Sequence, residues 1–171
     1  MSNGYLGNSY LKRSAEAIEY TPEQIKEFMK CAKDPIYFAK SYIKIVHVDR
    51  GLVPFDMYDY QKEIAEAITY NRRVTVNTSR QAGKTTTAVA IILHYVLFND
   101  YKTCALLANK GDAAREILDR IKIAYEALPS WLQQGVIEWN KGSVEFENGC
   151  KIIAGSTSSS AIRGKSISFL Y

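Results

Sequence analysis

Gly83, Lys84 and Thr85 stand in a row within VTVNTSRQAGKTTTAVAIILHYVLF, residues 74–98. Side chains of these types in this order suit the capture of a polyphosphate. A glycine lets the backbone approach phosphate oxygens, a lysine reaches the outer negative charge, and a threonine hydroxyl can ligate Mg²⁺. Loop N–H groups, backed by the positive end of a following helix, supply the rest of the field. The pattern G-x-x-x-x-G-K-[ST] is met only from its second glycine onward, because Thr78 occupies the first glycine position. The loop therefore opens on a residue that demands no positive φ. Ser79, Arg80, Gln81, Ala82 and Thr86 complete the candidate phosphate-binding run around Gly83, Lys84 and Thr85, with Thr85 the candidate metal ligand.

Such a loop works only between a strand and a helix N-terminus. Arg73–Asn77 alternates β-branched and polar residues, as a short strand does, and 85–98 is apolar nearly all round, as a buried helix is. A buried strand is predicted over 103–108 and an amphipathic helix from Asp112 to Leu128, stopped by Pro129. Strand, helix, strand, helix argues an α/β fold with a parallel sheet. Upstream, Thr21-Pro22-Glu23-Gln24 is a capping box with proline at the first helical position, and Asp34-Pro35 starts a second helix reaching about Ile43. Ile45–Asp49 alternates like a strand before a turn at Arg50-Gly51. Residues 58–70, YDYQKEIAEAITY, place Tyr60, Ile64, Ala67 and Ile68 on one helical face. SVEFENGCKIIA, residues 143–154, holds two alternating runs about Asn148-Gly149, which predicts a β-hairpin with a type I′ turn. Residues 155–165 form a small-residue loop centred on Arg163, and 166–171 reads as another buried strand. Residues 1–20 lack periodicity and read as an N-terminal arm, a flexible tail by default.

With 171 residues and 47% hydrophobic side chains the chain can bury one domain's core. A net charge of +4 permits nucleic-acid contact without requiring it. Cys31, Cys104 and Cys150 are widely spaced and odd in number, and the histidines are His47 and His94. That argues against a zinc module or a disulfide framework and for three ordinary thiols in a reducing compartment. The longest apolar run is too short to span a bilayer, and the first residues carry no signal-peptide pattern, so a protein that is neither membrane-spanning nor exported is expected.

TSRQAGKTT, the glutamine of YDYQKEI, LLANKGDAAREILDRIK, IEWNKGSVEFENGCKI and SSAIRGKSISFLY together resemble the large terminase subunit of T4-like tailed bacteriophages, from about Thr21 to Tyr171. That resemblance implies a P-loop NTPase of the additional-strand, RecA/terminase-like type: a mostly parallel sheet with flanking helices and the hairpin as an insertion. It also implies an ATP-driven, Mg²⁺-dependent motor that threads double-stranded DNA into a procapsid. Portal protein, small terminase subunit and a homo-oligomeric ring are the implied partners, and the host cytoplasm, with transient docking on the procapsid, the implied location. By the same resemblance Gln61 is the adenine reader, an amide matching a donor and an acceptor on the base. Lys84 and Thr85 serve phosphate and Mg²⁺. Arg80 is a candidate arginine finger in cis, and Arg163 a competing one reaching a neighbouring subunit's nucleotide. Tyr58 and Tyr60 flank Gln61, and the spacing of Tyr60 from Ile64 points to the core.

Hydrolysis in this family needs an acidic pair at the end of the strand that SISFLY begins, and the sequence ends at Tyr171. Residues 21–171 are therefore expected to be the N-terminal portion of an ATPase domain, truncated just before the Walker B carboxylates, without the nuclease domain. The expected behaviour is ATP binding without hydrolysis, the remainder coming from a second chain. In the resembled class the strand after Walker B lies between the Walker B and phosphate-loop strands, so the sheet is expected to lack a central member. The alternatives are a superfamily-2 helicase-like ATPase fragment and a non-catalytic complementation fragment of a split terminase gene.

Overall fold

Thr21 and Asp34 start the first two helices by the expected chemistry. Thr21 Oγ1 accepts the Gln24 N–H at 3.2 Å while Gln24 Oε1 accepts the Thr21 N–H at 3.0 Å, opening α1 (Pro22–Lys33). Asp34 Oδ1 accepts the N–H groups of Ile36 and Tyr37, both at 2.9 Å, opening α2 (Pro35–Tyr42). These bonds satisfy donors that a helix start otherwise leaves unpaired. The computed structural model describes residues 4–157 and 162–171.

Beyond α2 the chain forms a separate antiparallel hairpin, β1 (Lys44–His47) with β2 (Gly51–Pro54). The second strand of this pair, GLVP, carries no readable alternation. Next come α3 (Asp59–Tyr70), α4 (Lys84–Leu97), β3 (Thr103–Ala108) and α5 (Gly111–Glu126). A 3₁₀ turn at Ser130–Leu132 leads into β4 (Val136–Trp139), β5 (Ser143–Phe146), β6 (Lys151–Ser156) and β7 (Phe169–Leu170). The main sheet has the order β4-β5-β6-β3-β7: β3 pairs in parallel with β6 and β7, and β4, β5 and β6 pair antiparallel. The fold is thus α/β with a mixed sheet and flanking helices. α5 covers β3 and β6, while α4 is surrounded by α2, α3 and α5. That enclosure explains why α4 is apolar nearly all round, with nine residues from Thr87 to Leu97 buried.

Several expectations meet a different structure. Arg73–Asn77 is not a strand: among the described residues it joins no ladder, and Val74 is exposed. A strand is defined by a bonded neighbour, and this segment has none. The 166–171 run is not buried throughout; β7 lies at the sheet edge with β3 as its one partner, which leaves Leu170 61% exposed. The turn after β5 is not type I′. Gly149 alone is left-handed, at φ 76°, and its N–H reaches the Phe146 carbonyl at 3.0 Å while the Phe146 N–H reaches Cys150 O at 2.9 Å. That is a type I turn closed by a glycine bulge, and its extra residue gives the tight reversal without a left-handed asparagine. On α3 the fully buried positions are Gln61 and Ala65, so the helix is rotated from the predicted face and Tyr60 stays 41% exposed.

Nor is the arm a free tail. Leu11 is 2% exposed, Val136 N–H donates to the Lys12 carbonyl at 2.9 Å, and Tyr5 Oη donates to the Ile137 carbonyl at 3.1 Å. The outer edge strand β4 is thereby covered, which blunts a surface otherwise open to further pairing. All three cysteines are buried and free. Burial pushes the Cys31 and Cys104 thiols up to about 12, far from thiolate reactivity at neutral pH. No helix of the described residues is long and apolar enough to cross a membrane.

Candidate functional site

Residues 78–83 form an exposed to half-buried turn that ends on the first residue of α4. Gln81 and Gly83 are both left-handed, at φ 62° and 72°, and Gly83 is the residue that caps α4. The left-handed backbone at 83 favours glycine, and a β-carbon there would also force the Gln61 amide to shift. Among the described residues no side chain caps α4. The first-turn N–H groups of Lys84, Thr85 and Thr86 therefore keep their bonding capacity at the positive end of a fourteen-residue helix. From Asn71 to Asn99 the sequence contains no Asp or Glu, whereas Arg72, Arg73, Arg80 and Lys84 all fall there. The local field favours an anion.

Inside the loop, Lys84 Nζ donates to the Ser79 carbonyl at 3.3 Å and Thr78 Oγ1 to the same oxygen at 3.4 Å. The lysine thus folds back over its own loop. Gly83 O accepts the Thr87 N–H at 2.9 Å and the Thr87 hydroxyl at 3.2 Å, fixing the first turn. Thr85 Oγ1 lies 3.4 Å from the Tyr171 hydroxyl, which brings the end of the β7 segment to the start of α4. Tyr171 extends the β7 ladder, its N–H donating to Ala105 O at 2.9 Å and its carbonyl accepting the Leu107 N–H at 2.7 Å. The contact is therefore between the sheet and the candidate metal ligand.

α3 supplies the third wall. Tyr60 Oη donates to the Ala82 carbonyl at 3.0 Å and Gln61 Nε2 to the same oxygen at 3.3 Å. Tyr58 and Tyr60 stack with ring centroids 5.7 Å apart and planes 9° from parallel. Sequence reasoning placed Tyr60 in the core on helical spacing; its position directly before Gln61 was the available signal for a loop contact. On the exposed start of the same helix, the hydrogen bond from Lys62 holds the Asp59 carboxyl below its ordinary value.

The structure thus gathers Gln61, Ser79, Ala82, Gly83, Lys84 and Thr85 into one region. Arg80 and Arg163 are both exposed, and among the described residues neither forms an ion pair. Arg163 sits in a turn with Gly164 left-handed at φ 73°. The neighbouring residues 158–161, part of the predicted small-residue loop, lie outside the described residues.

A mixed α/β sheet carrying a basic turn against an uncapped apolar helix defines the class: an α/β architecture compatible with that of NTPases. The chain belongs to the large terminase subunits, since the family described as terminase large subunit, T4likevirus-type, N-terminal, matches residues 76–171. Large terminases are generally ATPases of phage DNA packaging, so membership supports a packaging-motor role. The match begins after α3, and Gln61 lies outside it.

Proposed function

We propose that residues 79–86 hold the triphosphate of ATP and that the chain is the nucleotide-binding part of a motor driving double-stranded DNA into a procapsid. One observation carries the reading: Gly83, left-handed at φ 72°, presents the uncapped N-terminus of α4 with Lys84 and Thr85 in its first turn. In this reading Lys84 leaves the Ser79 carbonyl for the β- and γ-phosphate oxygens, and the N–H groups of α4's first turn take the remaining charge. Among the described residues no cluster of three or more His, Cys, Asp or Glu side chains is placed to hold a metal ion. Thr85 Oγ1 is the side-chain oxygen of this site that would hold Mg²⁺ brought with the nucleotide. When bound, it neutralises charge on the β- and γ-oxygens. Arg80, exposed in the loop and in no ion pair among the described residues, is the candidate to act in cis on the γ-phosphate, and the exposed Arg163 is the competing candidate for a neighbouring subunit's nucleotide. An arginine finger is worth about 10³ to 10⁵ in rate, so single alanine variants in the assembled motor separate the two roles. DNA, portal and small-subunit contacts belong to this reading through the family.

The direct test is equilibrium titration of the chain with a fluorescent ATP analogue, with Mg²⁺ or with EDTA, beside Lys84→Ala. Affinity should fall at least about tenfold in Lys84→Ala, the scale of one lost charge-assisted contact. Equal binding by both proteins overturns the site.

A further inference from the structure

Gln61, assigned above to the base by resemblance, is 4% exposed, and both ends of its amide are engaged within the protein. Oε1 accepts the Tyr58 N–H at 3.0 Å, closing the start of α3, and Nε2 donates to Ala82 O at 3.3 Å. Oε1 keeps a second lone pair and Nε2 a second hydrogen, so reading a base would add to these two bonds and does not replace them. Tyr60 Oη is bound to the same carbonyl at 3.0 Å. The oxygen just before Gly83 thus receives donors from two consecutive residues of α3.

We infer that Tyr60 and Gln61 are positioning residues: a two-donor clasp on the Ala82 carbonyl that sets the phosphate loop and so governs affinity for the polyphosphate chain. The peptide from 82 to 83 is trans, so its carbonyl and the Gly83 N–H point in opposite directions. Holding the carbonyl on α3 turns the Gly83 N–H away from α3. The overlap that a β-carbon at 83 would make with Gln61 Nε2 shows how closely the clasp and the glycine fit. This inference rests on the reading of residues 79–86 as a polyphosphate site.

The test uses the full chain with Gln61→Glu and Tyr60→Phe. When ionised, Glu keeps an oxygen for the Tyr58 N–H and removes the donor to Ala82, but it also adds a negative charge beside the loop, so Tyr60→Phe, which adds none, decides the affinity readout. Tyr60→Phe removes one hydroxyl from a 41% exposed residue and serves if the Glu variant does not fold. Binding of inorganic tripolyphosphate, ATP and GTP is measured for each protein. Separately, the rate of tryptic cleavage after the exposed Arg80 is followed without nucleotide. In Tyr60→Phe, tripolyphosphate, ATP and GTP should all bind about two- to tenfold more weakly, the worth of one hydrogen bond, with the ATP-to-GTP ratio unchanged. Cleavage after Arg80 should accelerate. Unaltered tripolyphosphate affinity in both variants overturns the clasp, and a lost ATP-to-GTP preference beside it assigns Gln61 to the base alone. If the parent chain binds no tripolyphosphate, the site reading fails by itself. The cleavage rate then decides the clasp: faster supports it, and an unchanged rate overturns it.

Discussion

Replacing Glu147 by glutamine should release the N-terminal arm. Its Oε1 accepts the Gly135 N–H at 2.7 Å and the Lys12 ammonium at 3.3 Å, and Oε2 accepts the Ala15 N–H at 3.0 Å. Burial pulls this carboxyl's pKa upward, but the two backbone N–H groups and Lys12 more than reverse the effect, leaving it below the ordinary value. Glutamine can keep one oxygen acceptor, while its NH₂ would meet a donor at Ala15 or Lys12. One backbone bond and the charge pairing are then lost. With Lys12 9% and Glu147 26% exposed at the side chain, the pairing is only partly screened. The sum is about 2 kcal/mol, which for a chain of this size means about 4 to 8 °C in Tm. Urea titration followed by fluorescence of Trp131 and Trp139 measures the global loss, and trypsin cleavage after Lys12 and Arg13 measures arm release. Because the folded pKa is depressed, the stabilisation is complete above the unfolded value of about 4.3 and is lost as pH falls through the folded value. The parent protein should therefore lose stability more steeply than Glu147→Gln below about pH 4.3. Equal pH slopes, or arm cleavage at the parent rate, refute the clamp.

Phe38 is fully buried among Tyr42, His94 and Phe98; Phe38→Ala should cost about 3 to 5 kcal/mol, read as a shift in the urea midpoint. Burial lowers the His94 pKa, although carbonyls of Cys31 and Ala32 oppose the shift. Its stabilisation is present above the unfolded value of about 6.5 and is lost as pH falls through the folded value. His94→Gln, which retains a donor for Cys31 O, should flatten the dependence of the midpoint between about pH 6.5 and the folded value. Gly83→Ala combines a left-handed β-carbon, about 1 to 2 kcal/mol, with overlap onto Gln61. Calorimetry should show it destabilised by more than a glycine-to-alanine change in open space.

Local chemistry was legible wherever a signal and its partner lie within a few residues. Thr21 with Gln24, Asp34 with Pro35, the buried apolar run of 103–108 and the all-apolar helix after Lys84 needed no distant neighbour, and the structure has them where the sequence puts them. Strands are different, because pairing is a property of two segments. The β-propensity of Arg73–Asn77 finds no ladder, GLVP finds one without an alternating pattern, and β7 keeps two residues because one side of it is open. Around the candidate site, the sequence by itself determined the motif, its acid-free surroundings and a glutamine upstream. Only the tertiary structure decided that this glutamine's amide bonds the start of α3 and the Ala82 carbonyl, that Tyr60 shares that carbonyl, and that the arm lies across β4. Hydrogen bonds spanning 21 and 22 residues between α3 and the loop, or more than a hundred from arm to hairpin, depend on how elements pack, which no local pattern encodes.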